Sequence, residues 1–146
     1  MPLAYQSAKD LYDCYAQVIF IGENGGYDSV ENLYQQIKRM IERCISNRYI
    51  VLSSHKKKEV SEEMEDMFLE NFGTNFLNLR SYFSTYGIGD AIRLGLMSEP
   101  SNADSDAMAN GDCPPSFLSD SVHFNDIGQK LLSKIVYEKG SQLGYW

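Results

Sequence analysis

Asp120 and His123 stand three residues apart, in Asp120-Ser121-Val122-His123, just ahead of Phe124-Asn125-Asp126-Ile127-Gly128 and an apolar-periodic stretch. A carboxylate at that spacing comes within hydrogen-bond reach of an imidazole, fixes its tautomer and stabilises the imidazolium formed when the ring takes a proton. The pair suits general-base chemistry, with His123 as base and Asp120 as its orienting partner. It also suits a plainer job, since Asp and Ser near a helix start cap it. Both readings stay open on these four residues. A second chemistry-bearing segment, Gly22-Glu23-Asn24-Gly25-Gly26-Tyr27, follows an apolar run. The Asn24 amide is a donor suited to an oxyanion at a sheet edge. Asn and Gly are equally the residues of a tight turn, with Asn24 in the left-handed region. A phosphate loop fits less well, because there is neither a Gly-Lys-Ser/Thr ending nor Gly-x-Gly-x-x-Gly.

The elements that must position these residues alternate strand and helix. Gln17 to Gly22 contains the continuous apolar run Val18-Ile19-Phe20-Ile21 and predicts a strand buried on both faces of a parallel sheet. Val30 to Ile45 repeats apolar residues at helical spacing, and Tyr49 to Leu52 is a second buried strand followed by Ser53-Ser54-His55. A helix is predicted from Ser61, as N-cap, to Gly73, as stop. Phe76 to Leu79 predicts a third strand. Arg80 to Leu96 predicts a short helix with turns at Gly87 and Gly89. Ser98 to Pro115, rich in Ser, Asn, Asp, Gly and Pro, predicts a surface excursion. The last helix is expected over roughly Asn125 to Gly140. With no repeat and no dividing linker, 1–146 is expected to be a single α/β domain with a parallel sheet. Ligands in such folds bind at the carboxyl ends of the strands, where the Gly22 to Tyr27 and Ser53 to His55 segments fall.

Composition narrows the function. The chain has 146 residues, 43% hydrophobic and 23% charged, which suits one domain able to bury a core. A net charge of −7 leaves no basic footprint, so nucleic acid is not an expected partner. No apolar run approaches the roughly 20 residues that span a bilayer, and no signal-like N-terminus precedes the domain, so no membrane partner and a cytoplasmic location are expected as the chain is written. Cys14, Cys44 and Cys113 are odd in number, widely separated and without metal-ligand spacing, which predicts reduced, structural thiols and neither disulfide framework nor metal site. His55, beside three lysines, reads as a solvated loop residue. Tyr145, the other tyrosines and Trp146 read as packing and capping residues, with no stripe that would hold a cofactor.

An apolar strand ending in Gly22-Glu23-Asn24, followed about a hundred residues later by Asp120-Ser121-Val122-His123 with Asn125 and Gly128, resembles the SGNH hydrolases, the GDSL family of esterases and lipases. The resemblance covers the whole chain and matches the C-terminal two-thirds of such a domain. It implies a three-layer α/β/α fold with a parallel sheet, no cofactor and a small-molecule or carbohydrate ester as substrate. It also implies Asn24 in the oxyanion hole, His123 as general base and Asp120 as its partner. The family's Gly-Asp-Ser block, which carries the nucleophile, has no match. Ser7 lacks a preceding strand and a Gly-Asp, and Ser29, Ser53 and Ser54 lie near strand ends in contexts that do not activate them.

The resemblance implies the strand order 2-1-3-4-5 with the strand ending at Gly22 as the third, so the first strands are missing here and Val18 to Ile21 forms an uncharged sheet edge. Such an edge invites homo-oligomerisation unless the Met1 to Cys14 segment, with Leu3, Tyr5, Leu11 and Tyr12, covers it. A monodisperse monomer in light scattering would sink that expectation. Three functions stand side by side: a serine esterase whose nucleophile lies outside this sequence, a catalytically inactive SGNH-like binding or interaction domain, and an α/β domain in which Asp120 and His123 are structural. Loss of the serine from such a triad costs around a million-fold in rate, which separates the first from the second.

Overall fold

The computed structural model describes residues 14–54 and 57–146. Ser7, His55 and the proposed covering segment, apart from Cys14, lie outside the described residues. Three short parallel strands form one sheet in the order β1-β2-β3: β1 (Gln17–Ile19), β2 (Tyr49–Leu52) and β3 (Phe76–Leu77). Gln17 pairs with Tyr49, and Val51 with Phe76. The first and third strands are shorter than their apolar runs predicted. β1 stops at Ile19, three residues short of the turn at Gly22, and Asn78 leaves the sheet to cap the next helix by accepting from Ser81 N at 2.9 Å.

Two apolar clusters meet at β2, whose side chains alternate between them. Val51 joins Leu33 and Ile37 of α1 (Val30–Arg43) and Met64, Phe68 and Phe72 of α2 (Lys58–Phe72). Ile50 and Leu52 join Leu79, Phe83, Ile88, Phe117, Phe124, Leu131 and Ile135. All three residues are at most 2% exposed, as a strand covered on both sides requires. The second cluster draws on α3 (Leu79–Tyr82), a π-helical turn over Phe83–Gly87, α4 (Ile88–Arg93) and α6 (Asp126–Gln142).

Three sequence expectations are corrected here. Ser61 does not begin α2. It lies inside the helix, 1% exposed, and the helix starts at Lys58 because Asp112 supplies the cap from a distance, accepting from Lys58 N at 2.9 Å. Gly87 and Gly89 make no turns. A Cβ at Gly87 would lie 2.9 Å from the Phe117 ring, so the missing side chain admits that ring and packing overrides a propensity cost of about 1 kcal/mol. The Ser98 to Pro115 stretch contains a helix, α5 (Asn102–Asn110), begun by a capping box between Ser101 and Asp104 and ended by Gly111 at φ 74. Its charged cap is fully buried: Asp104 accepts from Ser101 N and Oγ and from Ser116 N and Oγ at 2.7 to 2.9 Å. These bonds outweigh the burial that would raise its carboxyl and hold it below the usual range.

Gly73 does stop α2, at φ 51. Two buried or half-buried charge clusters then lock the helices. Arg80 donates through Nε to Glu65 at 2.7 Å, both side chains being at most 10% exposed, and reaches the Gly111 carbonyl. Asp90 of α4 accepts from Tyr82 at 2.7 Å, Arg93 at 2.9 Å and Lys134 of α6 at 3.0 Å. Tyr145 closes the other end, its hydroxyl lying 2.7 Å from Asn75 Nδ2 and bonded to the Tyr49 backbone. Trp146 stacks on Tyr137 and donates to its carbonyl, as expected of packing residues. Among the described residues no helix is long and apolar enough to cross a membrane.

Candidate functional site

A short loop between the 3₁₀ turn Pro115–Phe117 and α6 carries Asp120 and His123. It is folded back on itself: Leu118 bridges Phe124 antiparallel, Ser119 N donates to His123 O at 2.8 Å and Asn125 N to Phe117 O at 2.9 Å. Asp120 sits at the tip and organises it. Its Oδ1 accepts from Val122 N at 2.7 Å and His123 N at 2.8 Å, while Oδ2 lies 2.8 Å from His123 Nδ1. The imidazole bond first, then the two backbone N–H groups, hold the Asp120 carboxyl down at about 2. With Asp120 ionised, Nδ1 carries the proton that the carboxylate accepts, and Nε2 is the nitrogen left to take another. The two side chains are 68% and 54% exposed, so the ring faces solvent.

Asn125 and Gly128 anchor the loop to the helix. Asn125 Oδ1 accepts from Ile127 N at 3.0 Å and Gly128 N at 3.1 Å, capping α6, while Nδ2 donates to Ser116 O at 2.8 Å. Gly128 is needed because a Cβ there would lie 2.4 Å from Phe117 O and 2.7 Å from the Phe124 ring. The helix is capped by Asn125, so capping α6 is not what Asp120 does.

Asn24 stands on a different loop. The segment after β1 is a turn in which Gly25 N donates to Gly22 O at 3.3 Å, with Glu23 and Asn24 between them. Positive φ falls on Gly22, Gly25 and Gly26, and on no non-glycine among the described residues, so Asn24 is not left-handed as the turn reading expected. Gly22 has a second reason to be glycine, since a Cβ would lie 2.8 Å from Leu33. The Asn24 side chain is exposed and shares no hydrogen bond with Asp120 or His123.

The serines near strand ends have other tasks. Ser29 caps α1 by accepting from Asn32 N at 3.0 Å. Ser53, fully buried, accepts from Leu79 N at 2.9 Å and so braces the start of α3 against the end of β2. Ser54 donates to Glu23 Oε2 at 2.6 Å, joining the loops after β1 and β2. Nothing local in the sequence marks that pair, because its partners are 31 residues apart. Cys113 lies in the same neighbourhood, where burial first and the charges of Glu23, Asp104 and Asp112 after it push the thiol up to about 12, so it stays protonated. Beside the loop a cavity of about 310 Å³ is lined by Ala103, Ala107, Cys113, Pro115 and Leu118 together with Lys57, Asp112 and Ser121. No group of three or more His, Cys, Asp or Glu side chains among the described residues is arranged to hold a metal ion.

The structure thus brings Asp120 and His123 together, leaves Asn24 on a separate loop and gives Ser29, Ser53 and Ser54 structural bonds. Comparison of the chain with models of known families, with characterised proteins and with solved structures finds no match.

Proposed function

We propose that this chain carries the general-base half of an SGNH-type ester hydrolase. The observation that carries the reading is the 2.8 Å contact between His123 Nδ1 and an Asp120 carboxylate that the loop's own N–H groups hold in place. A ring oriented this way offers Nε2 to a serine hydroxyl. It takes the proton as the serine attacks an ester carbonyl and returns it to the departing alcohol. Asn24, with its exposed amide on the loop that follows the first strand, is the donor for the developing oxyanion. The cavity beside Ser121 is large enough for a short acyl group, whose apolar part would lie against its alanine, proline and leucine walls beside the charged Lys57 and Asp112. Helices against both faces of a parallel sheet support the three-layer α/β/α form of the reading. Among the described residues β1 lies at the edge of the sheet and Val18 is 47% exposed, which supports its further element, association with a second copy.

A second reading, a non-hydrolysing relative that keeps the cleft, is favoured by one observation: Ser29, Ser53 and Ser54 are each committed to structural hydrogen bonds. Hydrolysis of p-nitrophenyl acetate by the chain and by His123→Ala tests whether a nucleophile works with His123 in these 146 residues. A wild-type rate above background that disappears in His123→Ala and falls by about 10⁴-fold in Asp120→Asn, whose tautomer is wrong, supports the first reading and means that a working nucleophile stands among these 146 residues. Equal rates for wild type and both variants would refute hydrolysis by this chain alone, leaving a general-base half that needs a serine from elsewhere or the second reading.

A further inference from the structure

We propose that Cys14 and Cys44 are a redox-active pair that a small-molecule disulfide oxidises to an intramolecular disulfide. Thirty positions apart in sequence, their Sγ atoms lie 3.4 Å apart. A disulfide needs about 2.05 Å, so the sulfurs have only about 1.4 Å to travel. Their proximity does not depend on the two side chains alone. Ser46 Oγ donates to Tyr15 O at 2.6 Å, Arg48 N donates to Ser46 Oγ at 3.1 Å, and Gln17 N donates to Arg48 O at 2.9 Å. The Arg48 guanidinium also sits 4.3 Å over the Tyr15 ring. Residues 14–17 and 44–48 are therefore laced together next to the sulfurs by contacts in which the sulfurs take no part. Cys44 is the C-cap of α1 in extended backbone, outside the regular helix, so its movement disturbs no interior turn.

Both thiols are partly accessible, whereas Cys113 is buried. The thiolate of either accessible cysteine attacks a sulfur of glutathione disulfide and expels one glutathione thiolate. The second cysteine thiolate then attacks the protein sulfur of the mixed disulfide and expels the other. Two cysteine thiols are oxidised, one glutathione disulfide is reduced to two glutathiones, and the two thiol protons end on the products. The bond staples the segment entering β1 to the end of α1, closing the first strand-helix unit on itself.

The test is incubation of the folded full chain with glutathione disulfide, followed by alkylation, intact mass and peptide mapping. The expected product carries no bond between chains and is lighter by about 2 Da than the reduced chain, with Cys14 linked to Cys44 and Cys113 alkylated only after unfolding. Its melting temperature is higher by about 10 °C and returns to the starting value with dithiothreitol, as closure of a loop of this length implies. In Cys44→Ser, Cys14 instead retains a glutathione adduct and the rise is absent. Persistent glutathione adducts on wild-type protein, a cross-linked dimer, a bond to Cys113, or no reaction at either cysteine would each overturn the proposal.

Discussion

Replacement of Asn125 tests how the loop bearing His123 is held. In Asn125→Ala two bonds at the helix start and two to the preceding segment vanish together: Ile127 N and Gly128 N lose Oδ1, and Ser116 O and, at 3.4 Å, Leu118 O lose Nδ2. Loss of an N-cap costs about 1–2 kcal/mol. Removing the donor from the Ser116 carbonyl adds about 1 kcal/mol. Because all of these bonds come from one side chain that joins the turn to the helix, the total for Ala is about 2–3 kcal/mol. Asn125→Ser separates the parts, since a hydroxyl still caps but cannot reach Ser116, and it is expected to cost about 1 kcal/mol. Urea unfolding of the three proteins at neutral pH, with unchanged slope, reads these differences as midpoint shifts. A loss below about 0.5 kcal/mol for Ala would show that Asn125 does not hold the helix start. Equal losses for Ala and Ser would show that the cap contributes nothing beyond the Ser116 bond.

Gly128→Ala is expected to destabilise by about 2–3 kcal/mol, since the new methyl meets the Phe117 carbonyl and the Phe124 ring, and neither is the end of a flexible side chain. A melting temperature unchanged from wild type would count against that close approach. Asp90 makes stability pH-dependent: burial would raise its carboxyl, but bonds from Arg93, Tyr82 and Lys134 outweigh it and hold it at about 2. Its folded value lies below the unfolded value of about 3.9, so its contribution is full above that value and is lost as pH falls towards 2. With the carboxylate 20% exposed, solvent screening leaves about 1 kcal/mol of it. The stability gap between wild type and Asp90→Asn should therefore narrow in urea titrations taken from pH 6 to pH 3, and a gap that widens in acid would refute the sign.

The features legible in the sequence are those with short-range causes. The βα alternation, β2, α1 and the Asn125-led start of α6 follow from apolar period and local capping, and the Asp120 to His123 contact follows from three-residue spacing within one turn. Where the reading failed, a distant partner decided. α2 begins early because Asp112 caps it across 54 residues. The Gly87 region stays helical because Phe117 packs on it. α5 is the instructive exception, since its capping box at Ser101 and Asp104 was present in the sequence but lay among residues whose composition suggests a loop. The nearness of Cys14 to Cys44 and of Ser54 to Glu23 has no sequence signal, because each joins segments on either side of a crossover.

The four hydrogen bonds that bury Asp104 have a bearing on how anything enters the neighbouring cavity. They tie the start of α5 to the turn at Ser116, so the wall between them is already ordered before a guest arrives. A guest then surrenders its own freedom but asks little of the protein's, and the entropy of association is set mainly by the guest. A wall of this kind also gives little. A guest pressing on this wall would meet a fixed surface, so on that side fit would be set by what the wall excludes.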